Sequence, residues 1–439
     1  SLEIGIRTAI GERGVSVIVI PGDIALQPVA NPVEPKPLGL LPKQPAVIPH
    51  PGELDALAEM LNGKGRVTIL CGSGCEGAHA EVLELAYRLK APIVHALKGK
   101  EFVEYDNPYD VGMTGLIGFA SGYYAMIDTD LLLMLGTDFP YRQFYPKGAG
   151  VKTVQVDIRP GQLGRRASLD LGVVGDIRST IEALLPKLTL NEDSEHLSKA
   201  VEHYRRTRKE LDELAVPTGK DKTIHPQQVA KAISDLAADD AVFTFDVGLP
   251  TVWAARYLKM NGRRRMIGSL WHGSMANAMP MALGAQAAYP DRQIISLSGD
   301  GGFTMLMGDL LTFKQQNLPA KIIVFNNGAL GFIEVEQKST GFLPFGTDLE
   351  NPNFAAMAEA VGIKGIRIED PAKVEAGIKE AFEHDGPVLV DAVVARTELP
   401  IPPAINAQMA KGFTLYMLRA VMNGRMSEIV DLARANLWR

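Results

Sequence analysis

The chain alternates short, almost wholly apolar runs with segments whose apolar residues recur at helical spacing, and it does so in two separate series. The first series has apolar runs at 67–70, 93–95, 131–135 and 151–156, and between them Val82, Leu85, Ala86 and Leu89 fall on one helical face. Runs this short, with no polar residue at every second position, suit strands buried on both faces, which is the condition of a parallel sheet covered by helices. The second series runs through 241–245, 294–298, 322–325, 366–368 and 388–393, again with helical patterns between. The pattern predicts an α/β chain with two doubly wound parallel-sheet domains. Between the series, 191–195 and 205–213 carry many charges and few apolar residues and read as a solvated helix and connection.

The rest of the chain cannot supply a third complete core. Prolines at 28, 32, 35, 37, 42, 45 and 49 mark a semi-rigid linker. Before it, a helix at 4–10, a strand at 15–20 and the turn Pro21-Gly22 are too little to bury a core alone. Together with the opening Ser1, they predict the remnant of a preceding domain. The expected division is 1–25 remnant, 26–51 linker, 52–190 first α/β domain, 191–398 second, and 399–439 a separate tail. At roughly 150 residues per domain, 439 residues allow about three. With 46% hydrophobic and 22% charged residues the chain is ordinary globular material, not disordered, collagen-like or coiled coil. A net charge of −6 gives no overall basic field for nucleic acid. Cys71 and Cys75 make neither a disulfide framework nor a zinc site. No apolar run approaches the ~18–20 residues that span a bilayer and no secretory leader is visible, so the cytoplasm is the expected location.

The chemistry is concentrated at two strand ends of the second series. The run at 294–298 leads into Gly299-Asp300-Gly301-Gly302-Phe303, and the run at 322–325 into Asn326-Asn327-Gly328. Ligands of open α/β sheets sit at the carboxyl ends of strands, where glycines let backbone N–H groups approach a phosphate. Asp300 and Asn327 offer hard oxygen ligands on neighbouring strand ends, as Mg²⁺ prefers. Either turn alone would be unremarked; the two together are not. Upstream, Trp271-His272-Gly273-Ser274-Met275 precedes a small-residue helix, and Asp246-Val247-Gly248 ends the 241–245 run, bordering the same cavity.

Gly-Asp-Gly followed by Asn-Asn after the next strand resembles the fingerprint of thiamin diphosphate-dependent enzymes. The resemblance implies that Asp300, the Asn327 side chain and the Ala329 carbonyl hold Mg²⁺ against the diphosphate. Gly301, Gly302 and the stretch Asn327, Gly328, Ala329, Leu330, Gly331, Phe332 and Ile333 would line the cofactor. Gly273, with Ser274 beside it, would offer a carbonyl to the aminopyrimidine, Met275 would wedge the cofactor into its bent form, and His272 could face the substrate.

The first domain is similar to the flavin-binding middle domain of pyruvate oxidases and acetohydroxyacid synthases. That similarity places FAD against Gly118, Phe119, Ala120 and Ser121, against Tyr141, Arg142, Gln143, Phe144 and Tyr145, and near Arg159. Gly72-Ser73-Gly74, between strand and helix, is compatible with a dinucleotide turn.

In the tail, Lys411, Arg419, Arg425, Arg434 and Arg439 outnumber Glu428 and Asp431. Met426, Ile429, Val430, Ala433 and Leu437 share a helical face, and Trp438 stands near the end. With Lys411-Gly412-Phe413, this tail resembles that of the bacterial peripheral-membrane pyruvate dehydrogenases that reduce ubiquinone. The implied activity is oxidation of pyruvate to acetate and CO₂, with electrons passing through FAD to ubiquinone. The tail would bind a phospholipid surface on the inner face of the cell membrane, Phe332 would move into the active site on activation, and the full-length protein would be a homotetramer. The family's glutamate for the aminopyrimidine lies in the N-terminal domain, so this chain alone is expected to turn over slowly. The alternatives are an acetohydroxyacid synthase-like enzyme, recognised by acetolactate, a phosphate-dependent pyruvate oxidase, recognised by acetyl phosphate, and an inert cofactor-binding fragment.

Overall fold

The computed structural model describes residues 2–29, 43–63, 65–148, 150–217, 223–399, 403–404 and 407–436. Two six-stranded sheets carry the architecture. The first contains β1 (Val67–Cys71), β2 (Ile93–His95), β3 (Asp110–Met113), β4 (Leu131–Leu135), β5 (Lys152–Asp157) and β6 (Leu171–Val174), in the order β3-β2-β1-β4-β5-β6. The second contains β7 (Val242–Phe245), β8 (Arg265–Gly268), β9 (Ile294–Gly299), β10 (Lys321–Asn326), β11 (Lys364–Ile368) and β12 (Val388–Val393), in the order β11-β12-β10-β9-β7-β8. Every ladder pairs its strands in parallel.

The central strands lie where the apolar runs predicted them, within one or two residues. β3, β6 and β8 were not expected, and each stands at a sheet edge. An edge strand has one neighbour and need not be apolar throughout, so Asp110-Val111-Gly112-Met113 and Arg265-Met266-Ile267-Gly268 lack the pattern that marks a doubly covered strand. The helical face Val82, Leu85, Ala86 and Leu89 is buried against Ile69, Ile93 and Leu133.

The N-terminal segment departs from expectation. A helix spans Leu2–Gly11, but 15–20 form no strand, and Val15, Val19 and Ile20 are exposed. The segment is β-prone, yet it has no neighbour among the described residues with which to form a ladder. Prolines 32, 35, 37 and 42 of the linker lie outside the described residues. Pro51 opens the helix Pro51–Leu61, whose start is closed by a capping box between His50 and Glu53.

The charged helix is Glu195–Leu214. The expected division at 190/191 passes in front of it, while its contacts are with β3 and the helix Ala120–Ile127 of the first sheet. From there it reaches the second sheet: the Arg208 guanidinium donates to the Arg256 carbonyl at 2.5 Å and the Tyr257 hydroxyl to the Leu211 carbonyl at 3.1 Å. Glu101 adds a second tie, accepting from Arg265 Nε at 2.8 Å and from the Met266 N–H at 2.7 Å.

The tail forms helices Ala407–Met422 and Met426–Asn436. The first packs on the helix Gly331–Ser339, with Tyr416 wholly buried. Ile429, Val430 and Ala433 are half-buried, whereas Met426 is exposed. Leu437, Trp438 and Arg439 lie outside the described residues. Among the described residues no helix is long and apolar enough to cross a membrane.

Beneath the Glu195–Leu214 helix, Asp110 faces His95 Nε2 at 3.6 Å, Glu104, Lys100 and the Tyr204 hydroxyl, and accepts the Gly112 N–H at 3.1 Å. Burial, then the Glu104 charge, push its carboxyl up to about 8. Burial also pushes His95 down to about 4. The folded chain therefore keeps on Asp110 a proton that the unfolded chain releases near pH 4, and stability from this group is lost as pH rises from about 4 to about 8. His95 acts on the acid side, its contribution falling as pH drops from about 6.5 to about 4. Asp110→Asn keeps an acceptor for Gly112 and removes the alkaline loss. Melting followed by circular dichroism should show the variant gaining on the parent between pH 5 and 8, by roughly 2–4 °C per kcal/mol recovered. A constant difference across that range would refute the assignment.

Candidate functional site

β9 and β10 are adjacent and in register, with Val324 opposite Ser298 and Phe325 opposite Gly299, so the loops that follow them emerge side by side. Asp300 opens the short helix Asp300–Met305 and is 2% exposed. Its Oδ1 accepts the Gly301 N–H at 2.8 Å. Its Oδ2 accepts the Asn327 N–H at 3.1 Å, the Gly328 N–H at 2.7 Å and Asn351 Nδ2 at 2.8 Å. Burial raises this carboxyl above its usual range, opposed by the hydrogen bonds from Gly301, Gly328, Asn351 and Asn327. Behind it a buried polar chain runs on. Asn351 Nδ2 also donates to Asn326 Oδ1 at 2.9 Å, Asn326 Nδ2 donates to Asp391 Oδ1 at 2.9 Å, and Arg367 pairs with Asp391.

These strand ends open on a cleft of about 610 Å³, a volume that includes its solvent-filled mouth. Asp246 from the end of β7, Met275, Asp300, Gly301, Gly302, Asn327, Ala329, Leu330, Gly331, Phe332 and Ile333 line it. The structure thus brings together most of the residues expected there. Gly273, Ser274 and Gly328 lie in the adjoining loops rather than in the wall, and His272 is exposed. Leu249, Pro250, Trp253, Val394 and Ala395 also line the cleft and carried no sequence signal beyond their apolar character. Asn351, which secures Asp300, lies in a segment with no motif.

The cavity fits thiamin diphosphate with Mg²⁺. Gly301 and Gly302 have no room for a side chain: a Cβ on Gly302 would come within 2.3 Å of Asp246 Oδ2, and one on Gly301 within 2.7 Å of Leu330. Glycine at these two positions is thus required by the close packing of Asp246 and Leu330 on the turn. The wall contains no Lys, Arg or His, so an anionic group would be balanced by a metal and by N–H groups. Asp300, Asn327 and the Ala329 carbonyl would form an all-oxygen donor set of the type Mg²⁺ takes with phosphate oxygens; in the structure Asn327 Oδ1 accepts the Ala329 N–H at 3.2 Å and the Ala329 carbonyl accepts the Gly331 N–H at 2.9 Å. Among the described residues no cluster of His, Cys, Asp and Glu competes with this set as a metal site. Asp246, whose Oδ1 accepts the Ala278 N–H at 2.9 Å, has a buried Oδ2 that faces Gly302 and has no hydrogen-bond partner among the described residues. The Met275 side chain lies against Gly301 in the same wall.

The residues expected at a flavin divide into two sets. Phe119, Phe144 and Tyr145 are core side chains, with the Tyr145 hydroxyl donating to the Phe139 carbonyl at 2.8 Å. Ser121 Oγ donates to the Val111 carbonyl at 2.9 Å, and Gly118 packs on Met113 and Thr114. Ala120 begins a helix. Tyr141, Arg142, Gln143 and Arg159 are exposed. The first sheet reverses its strand order between β1 and β4, the place where such sheets take dinucleotides. There Gly72 and Gly74 lie directly against Gly136, and Gly74 N–H donates to the Gly136 carbonyl at 3.0 Å.

Asp300→Ala strands the N–H groups of Asn327 and Gly328, costing about 1–3 kcal/mol each where they stay buried, and removes the carboxylate from the oxygen set. Calorimetric titration should show Mg²⁺ and thiamin diphosphate binding lost together. Retention of tight cofactor binding would exclude Asp300 as a ligand.

Comparison with known proteins agrees with this geometry. The family model described as "Thiamine pyrophosphate enzyme, C-terminal TPP binding domain" matches residues 246–392, and "Thiamine pyrophosphate enzyme, central domain" matches residues 54–184. A putative thiamine pyrophosphate-containing protein, YdaP, of Bacillus subtilis (strain 168) is 35% identical over 436 residues, covering 98% of this chain and 74% of its own length. The acetolactate synthase large subunit of Porphyra purpurea is 30% identical over 418 residues, 91% of this chain and 70% of its own length. An uncharacterized 42.6 kDa protein of Pseudomonas amyloderamosa is 59% identical over 221 residues, 50% of this chain and 54% of its own length. The chain belongs to the thiamine pyrophosphate enzyme family, of which it carries the central and the C-terminal cofactor-binding domains.

Proposed function

We propose that this protein is an acetolactate synthase-like enzyme, which joins two 2-oxo acid molecules, pyruvate being the simplest, with loss of one CO₂. The observation that carries the reading is the cavity at the ends of β7, β9 and β10 in a chain similar over 91% of its length to an acetolactate synthase large subunit. It takes precedence over the pyruvate oxidation expected from the tail, because the relatives that support a reaction are acetolactate synthases.

When bound, thiamin diphosphate supplies the electron sink for decarboxylation of a 2-oxo acid. The protein's own part is placement. Asp300, Asn327 and the Ala329 carbonyl would hold Mg²⁺, and the Gly302 N–H would face the diphosphate. Met275, Leu330, Phe332 and Ile333 would keep water from the reacting end and fix the conformation in which the groups meet. The positive φ of 66° at Gly273 turns the loop ahead of Met275 and favours glycine there.

A second reading, conversion of pyruvate to acetate with electrons passing through FAD to ubiquinone at a phospholipid surface, has one structural feature in its favour. The helix Ala407–Met422 leaves Leu418 and Met422 exposed beside Arg419, and Met426 and Arg425 follow directly. An apolar strip with adjacent cations suits a membrane surface.

Product analysis with pyruvate separates the readings. Acetolactate, detected as acetoin after acid treatment, is the expected product. Acetate formed with bleaching of a flavin band, and stimulated by phospholipid vesicles, would replace this proposal with the second.

A further inference from the structure

The segment that would offer the Ala329 carbonyl to the metal is held on one side by Asp300 and on the other by a stretch of chain that returns alongside it. Ala329 forms an isolated antiparallel bridge with Asp348. The Leu330 N–H donates to the Thr347 carbonyl at 2.8 Å, and the Leu349 N–H donates to the Gly328 carbonyl at 3.0 Å. Gln337 holds this returning stretch at Phe345, accepting its N–H at 3.1 Å and donating to its carbonyl at 3.1 Å, and a buried carboxylate holds it at Thr347. Glu334, one turn into the helix Gly331–Ser339, is 2% exposed. It accepts the Thr347 hydroxyl at 3.0 Å and Lys338 Nζ at 3.3 Å, and it pairs with Arg396. Arg396, which follows β12, also binds Asp348 at 2.6 Å. Lys338 is itself 5% exposed and lies over the ring of Tyr416 from the tail helix.

We infer that Glu334 is a positioning residue for the metal site, acting through Thr347 and Arg396 on the carbonyl of Ala329. A carboxylate buried at this depth is stable only when paired, and Glu334 has two cations and a hydroxyl around it. Burial opposes its charge, but Arg396 and Lys338 outweigh burial and hold it below the usual range. Charge at Glu334 draws the 347–348 backbone toward the helix. That backbone in turn carries the bridge to Ala329, whose carbonyl also accepts the Gly331 N–H at 2.9 Å. Groups that orient the ligands of a metal commonly govern its affinity although they never touch it. The inference rests on the cofactor site of the family and is independent of which 2-oxo acid reaction the protein performs.

The test is a titration of Mg²⁺ at saturating thiamin diphosphate, read by tryptophan fluorescence, since Trp253 lines the cavity. Glu334→Gln preserves shape and an acceptor for Thr347 but removes the charge, and should raise the Mg²⁺ concentration for half-saturation roughly tenfold or more. Thr347→Val should shift it in the same direction by a smaller factor. The double variant should fall short of the product of the two shifts, because both act through one link. Glu336→Gln, on the exposed side of the same helix, should leave the titration unchanged. If Glu334→Gln does not fold, Thr347→Val alone decides. Parental Mg²⁺ affinity in Glu334→Gln, or in Thr347→Val when it stands alone, overturns the inference, as does an equal loss in Glu336→Gln or full independence of the two shifts. A parent chain that takes up no thiamin diphosphate overturns it together with the cofactor site; a parent that binds cofactor but yields acetate leaves it standing and removes only the acetolactate reading.

Discussion

The carboxylate of Asp300 is where the second sheet becomes a binding site. It directly follows β9, yet three of its four hydrogen-bond donors belong to other segments: the N–H groups of Asn327 and Gly328 after β10, and the side chain of Asn351 further on. One buried charge thus gathers three loops whose chain separation would otherwise let them wander. The ladder between β9 and β10 brings the loops to the same edge, and the carboxylate sets how they leave it. The chain of amides and charges behind it, through Asn326 and Asp391 to Arg367, extends the restraint across β10 and β12 to β11. Such a network is stable in the interior because each member is satisfied.

The cavity wall is almost entirely apolar or backbone, and none of its side chains is cationic. A site built this way has little affinity for free phosphate in general. It discriminates by demanding a metal and an organic body together: the metal to neutralise the charge, the body to fill the space between Met275, Leu249 and Phe332.

What the sequence revealed follows from how each signal arises. Buried central strands must be apolar on both faces, so β1, β4, β9, β10 and β12 stand out. Edge strands escape that demand, so β3, β6 and β8 do not. Gly299-Asp300-Gly301-Gly302 and Asn326-Asn327-Gly328 were legible because a phosphate-binding turn needs missing side chains and an oxygen ligand in adjacent positions. Asn351, Thr347 and Glu334 were not, since their roles depend on which loops the fold brings together, and no local spacing records that. The apolar alternation at 15–20 misled for the opposite reason, being a local preference without a partner strand. Cofactor chemistry was legible for the same reason as the turns; the choice between condensation and oxidation was not, because both would use the same strand ends.

The helix Glu195–Leu214 lies along β3 of one sheet while Arg208 and Leu211 are bonded to Arg256 and Tyr257 of the other. Any rocking of one sheet against the other would have to break these bonds or carry this twenty-residue helix with it, so the helix is where relative movement of the two domains would be felt first.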